Sequence, residues 1–135
     1  MKPLRINFRV WIELDEPLSS EYDVKKKGRR KETSRFICGK GVTRLLDAID
    51  KTHSLTKAAK EVGYSYKYAW DRTQKIKSRL GEPAVEAQKG GKGGGGNMHL
   101  STKGKEILEM YKEHNDFVNK CLENKEKIVK SGLLD

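Results

Sequence analysis

The chain has little of what would give it a chemistry of its own. It carries only two cysteines, Cys38 and Cys121, too few for a disulfide framework and without a zinc signature. The histidines His53, His99 and His114 add no short ligand spacing, so no metal and no cofactor is expected. No serine or histidine stands beside a base on a strand-turn-helix elbow, which argues against an enzyme. The glycine run at 90–96 lacks a following Gly-Lys-Ser/Thr and opens a strand rather than a helix, which excludes a P-loop. No apolar run is long enough to cross a bilayer, and Met1-Lys2-Pro3 leads into alternating residues instead of an apolar block. A cytoplasmic protein with no membrane partner is therefore expected. Acidic residues are outnumbered, 19 Asp and Glu against 29 Lys and Arg, for a net charge of +10. A surplus of that size favours a polyanion, nucleic acid before an anionic membrane surface. At 135 residues the chain is one domain with an appended helix.

What is present centres on residues 54–83, SLTKAAKEVGYSYKYAWDRTQKIKSRLGEP. A first helix is expected over 56–62, with Ser54 or Thr56 as its hydroxyl cap and Ala58, Ala59 and Val62 as its inner stripe. The two alanines let another helix cross at close range. Gly63 ends it where positive φ costs least. Ser65 caps a second helix over 66–80, with Ala69, Thr73, Ile76 and Leu80 inside and Lys67, Tyr68, Asp71, Arg72 and Lys75 outside. Upstream, residues 42–51 give Leu45, Leu46, Ala48 and Ile49 as the inner face of a helix that completes a three-helix core. Two helices joined by a short Gly-containing turn, with a basic outer face on the second, suit the major groove of DNA. An αα-hairpin inside an unrelated helical domain would show the same two helices; residues 81–102 favour the DNA reading. Gly81-Glu82-Pro83 stops the second helix, 84–87 and 97–100 read as strands, and the turn between them is KGGKGGGG, with Lys89 and Lys92 placed for phosphates. Ser101 or Thr102 caps the next helix.

Helix, helix, strand, Gly-rich tip, strand, helix is the order of a winged helix-turn-helix. Leu46-Asp47-Ala48-Ile49, the run 54–59, Ser65-Tyr66 with Ala69-Trp70, Gly81-Glu82-Pro83, the Gly-rich wing, and Leu100-Ser101-Thr102 with Gly104 together resemble the DNA-binding domain of the ModE family of molybdate-responsive regulators. More distantly the stretch is similar to the N-terminal domain of LysR-type regulators. The resemblance covers about half the chain. It implies a dimeric protein that recognises sequence in double-stranded DNA. Family members that sense molybdate carry a C-terminal oxyanion-binding region; residues up to Asp135 leave no room for one, so no small-molecule effector is expected.

On the second helix, Ser65, Tyr66, Lys67 and Tyr68 occupy the N-terminal end, the part that reaches base edges. Lys67 and Arg72 are the candidates for guanine contacts or phosphate clamps. The hydroxyls of Tyr64, Tyr66 and Tyr68 suit phosphate, and Lys75 a backbone contact. Tyr66 and Trp70 also fall at the edge of the inner face, and Trp70 is assigned to the core.

Toward the N-terminus, residues 4–14 alternate between apolar and polar, with Trp11 on the polar side, which predicts a strand with one buried face. Residues 33–38 supply an antiparallel partner, making an N-terminal β-hairpin. Between them lies KKKGRRK, residues 25–31, with Lys25, Lys26, Lys27, Arg29, Arg30 and Lys31. Such a run is normally solvated; in a DNA-binding chain it reads as a phosphate-contacting arm, which adds affinity without sequence information.

From 102 to about 130 the chain reads as one long helix. Ile107, Met110, His114, Phe117, Cys121, Asn124 and Ile128 fall on heptad positions a and d, and Tyr111 and Val118 widen the stripe. The stripe is expected to bury itself against a second copy, the other possibility being its own domain. The whole is thus a mainly α protein with small β-elements: a winged helix-turn-helix over 1–104, with its wing at 84–100, and a dimerisation helix over 102–131. A site-specific transcription regulator is the favoured function. An architectural, nucleoid-associated protein of low specificity is the alternative, and an adaptor that holds protein rather than DNA is a third. Replacing the six basic residues of 25–31 with neutral ones should weaken binding to all DNA sequences alike and flatten the dependence of affinity on salt; equilibrium titrations at several salt concentrations measure both.

Overall fold

The computed structural model describes residues 2–15, 35–88 and 97–130, with side chains of the last segment to 125. The basic run 25–31, the wing tip with Lys89 and Lys92, and the Ile128 side chain lie outside the described residues. The elements are β1 (Ile12–Glu13), β2 (Phe36–Cys38), α1 (Lys40–Thr52), α2 (Leu55–Val62), α3 (Tyr66–Leu80), β3 (Val85–Gln88), β4 (Asn97–Leu100) and α4 (Thr102–Lys130). They form a winged helix-turn-helix: three packed helices, an antiparallel β3–β4 wing and a long closing helix.

The core assembles from the apolar stripes of these elements. Leu45, Leu46 and Ile49 of α1 are fully buried, against Leu55, Ala58 and Ala59 of α2 and Ala69 and Ile76 of α3. The limits of α2 and the end of α1 have local causes. The Ser54 hydroxyl accepts the Lys57 N–H at 3.2 Å and opens α2. Gly63 closes α2 at φ 82°, a left-handed conformation that glycine adopts without a Cβ penalty. His53 closes α1 in the same region, at φ 52°, without that freedom.

The wing base is fastened on both strands. Val85 pairs with Leu100 and Gln88 with Asn97, while the Met98 N–H donates to the His53 carbonyl at 2.9 Å. Ser101 donates its hydroxyl to the Pro83 carbonyl at 2.7 Å and accepts the Gly104 N–H at 3.0 Å, so it is the cap of α4 and ties it to the start of β3. Gly104 passes so close to Ala84 that a Cβ there would collide with the Ala84 carbonyl.

Two expectations are corrected. Among the described residues, the strand read over residues 4–14 pairs at Ile12 and Glu13, with the Leu14 N–H donating to the Arg35 carbonyl at 2.7 Å; beyond Cys38 the chain turns into α1, so β2 supplies no partner for residues 4–11. Leu4 is accordingly 98% exposed. The long helix extends as expected, but Ile107, Leu108 and Tyr111 are buried in the core of their own domain, where α4 crosses α1. Lys112 donates to Asp47 at 2.6 Å across that crossing, and Lys51 approaches the other carboxylate oxygen at 2.9 Å. Burial pushes the Asp47 carboxyl up, but the hydrogen bonds from Lys112 and Lys51 outweigh it and hold the group below its usual range. Burial pushes the Cys38 thiol up to about 11, leaving it protonated at neutral pH.

This packing can be tested at two points. Gly104→Ala should lower the thermal midpoint, at a cost of roughly 1–3 kcal/mol, because backbone must move to admit the methyl. Gly41→Ala meets the outer end of the Tyr64 ring, a side chain rather than backbone, and should cost less. A folded-state pKa depressed at Asp47 means stability present above the unfolded carboxylate pKa and lost as pH falls through the lower folded value. Asp47→Asn should therefore reduce stability at neutral pH and flatten its decline in acid, read from denaturant melts across the carboxylate range.

Candidate nucleic-acid interface

The α3 helix is positioned from three sides. Ser65 accepts the Tyr68 N–H at 3.1 Å and fixes its first turn. Ala69, Thr73 and Ile76 are buried, Thr73 returning its hydroxyl to the Trp70 carbonyl at 2.7 Å. Gly81 ends the helix at φ 83° and donates to the Lys77 carbonyl. The guanidinium of Arg79 lies 5.4 Å from the centre of the Phe36 ring, so the C-terminal end of α3 rests on β2.

Held in this way, α3 turns the remaining side chains outward. Lys67, Asp71 and Lys75 recur every four residues and are exposed. Beside them Tyr64, Tyr68 and Arg72 form a stack: the two rings meet edge to face at 4.8 Å, and the Arg72 guanidinium lies 4.8 Å from the Tyr68 ring centre. Arg72 is less free than an outward-pointing arginine: it is partly buried, and its Nε has no acceptor among the described residues. A guanidinium held on a ring keeps its plane and loses less freedom on meeting a partner than a loose one.

The structure brings Ser65, Tyr66, Lys67, Tyr68, Arg72 and Lys75 onto one exposed end and side of α3. The β3–β4 wing base stands beyond the C-terminal end of the same helix in the chain, with Glu86 and His99 approaching at 3.1 Å across its outer surface. The sequence reading missed two aromatic features. Trp70, assigned to the core, is 42% exposed. It lies about 100° round the helix from Ala69, at the margin of the buried face, and with Tyr66 four residues earlier it forms a second exposed aromatic ridge. Tyr64 enters as the support beneath Tyr68; its place just before the capping serine was the available signal.

Along α4 the structure separates the heptad stripe into two parts. Ile107 and Tyr111 are taken up by the domain core, whereas Met110, His114, Phe117 and Cys121 are exposed and Val118 is partly buried. Among the described residues no group of three His, Cys, Asp or Glu side chains is arranged to hold a metal ion, and no helix is long and apolar enough to cross a membrane.

The Tyr68–Arg72 stack makes a specific demand. Tyr68→Ala should leave the fold intact, since Tyr68 is 44% exposed, but free the Arg72 side chain. Arg72→Lys cannot restore the planar stack. Both variants should lose polyanion affinity at unchanged thermal midpoint, measured by fluorescence titration and melting.

No family model matches the chain. It is 43% identical over 83 residues to the molybdenum-pterin-binding protein MopB of Rhodobacter capsulatus, a match covering 62% of this chain and 30% of that protein. It is 42% identical over 67 residues to the transcriptional regulator ModE of Yersinia pestis, covering 50% of this chain and 25% of the relative. The chain thus matches about a quarter to a third of the length of these curated relatives. Among solved structures, the CbnR DNA-binding domain in complex with DNA superposes with a TM-score of 0.50 at 15% identity, over 65% of this chain and 94% of that one. The BenM DNA-binding domain on benA site 1 DNA gives 0.50 at 17%, over 65% and 92%. Over about half its length the chain is ModE-like in sequence, and its fold is the winged helix-turn-helix shared with the CbnR and BenM DNA-binding domains.

Proposed function

We propose that the protein is a dimeric, DNA-binding transcriptional regulator that lays α3 in the major groove of double-stranded DNA. The observation that carries this reading is the outer face of α3. Lys67, Arg72 and Lys75 with the hydroxyls of Tyr66 and Tyr68 project from a helix capped and buried on its opposite side. In this reading Lys67 and Arg72 contact base edges or clamped phosphates, Ser65 and the tyrosines meet phosphates near the helix start, and Lys75 meets the backbone further along. Lys89 and Lys92 of the wing and the basic residues of 25–31 contribute the salt-dependent, sequence-independent part. The net charge of +10 supports a polyanionic partner of this kind. The names of the relatives, a transcriptional regulator among them, point the same way.

The exposed part of the α4 stripe, Met110, His114, Phe117 and Cys121 with Val118, is the surface assigned to a second copy, with Ile128 extending it. Ile107 and Tyr111 leave that assignment, being buried in their own domain. In a symmetric dimer the two α3 helices would meet successive major grooves about 34 Å apart.

One observation favours a second reading. Six basic residues in seven at 25–31 suit an architectural protein that coats DNA with low specificity. Affinity for DNA selected from random sequence, compared with bulk DNA at the same salt concentration, separates the two.

Lys67→Ala or Arg72→Ala should cost roughly 1–3 kcal/mol of binding to selected DNA and relax its sequence preference. Equal losses on selected and random DNA would favour the architectural reading. The unmodified chain should sediment as a dimer at micromolar concentration, and Phe117→Lys should shift it toward monomer.

A further inference from the structure

The N-terminal segment has the pattern of a strand and almost no strand to pair with. Residues 4–14 alternate apolar and polar side chains, yet only Ile12 and Glu13 bridge β2. Ile12 and Leu14 are tucked against the core, while Phe8 is 57% exposed and Ile6 71%. Phe8 lines one shallow depression with Phe117, Val118 and Cys121 of α4, and Val10 and Ile12 line another with Met110 and His114. The segment therefore runs antiparallel to α4 beside its exposed stripe. Among the described residues β1 has β2 as its one strand neighbour. Among the described residues nothing pairs with its other edge, a template for a further strand.

We propose that the same segment of a second copy occupies this edge. The two strands pair antiparallel about a two-fold axis at Val10 and form a ribbon that roofs the exposed stripes of both α4 helices. This deepens the dimer proposed above and rests on it. Charge and the length of the matched alternation together select the register, because facing residues on an antiparallel pair share one side of the ribbon. Centred on Val10, Arg5 meets Asp15, Asn7 meets Glu13 and Arg9 meets the Trp11 ring, while Phe8 meets Ile12, Ile6 meets Leu14 and Val10 meets itself. Centring on Asn7 sets Arg5 against Arg9, and centring on Arg9 sets that arginine against its own copy. Centring on Phe8 brings no opposite charges together, and centring on Trp11 or Ile12 faces Arg9 with Glu13 or Asp15 but ends the matched alternation at Asn7 or Arg9. The Val10 register pairs the longest matched run, the whole alternation from Arg5 to Asp15, with Arg5 facing Asp15 and no like charges opposed. The Trp11 indole already donates to Glu13 at 3.1 Å on the polar side.

The test uses the full chain carrying Cys121→Ser, since Cys38 is buried and Cys121 exposed. With Val10→Cys added, mild oxidation should give a covalent dimer, because the two-fold axis brings the cysteines within disulfide reach. Phe8→Cys should not crosslink to itself, its copy lying four residues away along the ribbon. Arg5→Glu should weaken dimerisation at least about tenfold by sedimentation, and Arg5→Glu with Asp15→Arg should restore it. A merely structural role for Arg5 would not be rescued by that exchange. A dimer that does not crosslink at Val10→Cys, crosslinks at Phe8→Cys instead, or ignores the charge exchange overturns the ribbon and leaves the dimer standing. A monomeric unmodified chain removes both, and duplex titration of the same sample tells whether DNA binding survives independently.

Discussion

The outward face of α3 depends on how closely α2 can cross behind it. Ala58, Ala59 and Ala69 are all essentially inaccessible to solvent, and none adds more than a methyl to the helix crossing. Close packing of this kind is intolerant of added volume. The buried face of Ala69, Thr73 and Ile76 fixes the rotation of α3 about its own axis, and so decides which residues face out. A rotation of half a turn would bury Lys67 and Asp71 and expose Ile76, exchanging a charged surface for an apolar one. Ser65 and Gly81 set the length of the helix, and its buried face against the core sets its direction.

A second fixed point lies where the wing meets α4. Ser101 bonds to Pro83 and caps Gly104, and Gly104 in turn lies against Ala84. The strand base, the start of the long helix and the end of α3 are thereby joined at one place. Across the domain, Lys112 reaches Asp47 and holds α4 along α1. The first turns of α4 therefore belong to the core, and an orientation imposed on α4 by a partner is passed to α3 through packed elements rather than through a loose linker. In the dimer proposed here, that rigidity is what sets the spacing of the two α3 helices.

Helix limits and the wing were legible in the sequence because their determinants are local. Ser54, Gly63, Ser65 and Gly81 act on the residues beside them, and α3 begins and ends where they placed it. Strand partnership is not local. The alternation over 4–14 reports a face, but the presence of a strand beside it depends on β2, which is only three residues long. The heptad stripe of α4 is similar: periodicity marks Ile107 and Phe117 alike, while the fold buries one and leaves the other 67% exposed. Trp70 was misplaced for a related reason, since a residue at the margin of a helix face is buried or not according to what happens to pack there. In the candidate interface, the basic residues were visible from the sequence; the Tyr64–Tyr68–Arg72 stack, which depends on the turn before α3, was not.

If DNA is read by the outer face of α3, a bound duplex must disturb that face before any other. Backbone amide shifts measured by NMR on adding a selected duplex to the unmodified chain test this residue by residue. The largest changes should fall on residues 65–75 and on the strands of the wing base, with the Ala58–Ala59 crossing unmoved. Changes confined to the exposed stripe of α4, or saturable duplex binding that leaves residues 65–75 undisturbed, would contradict it.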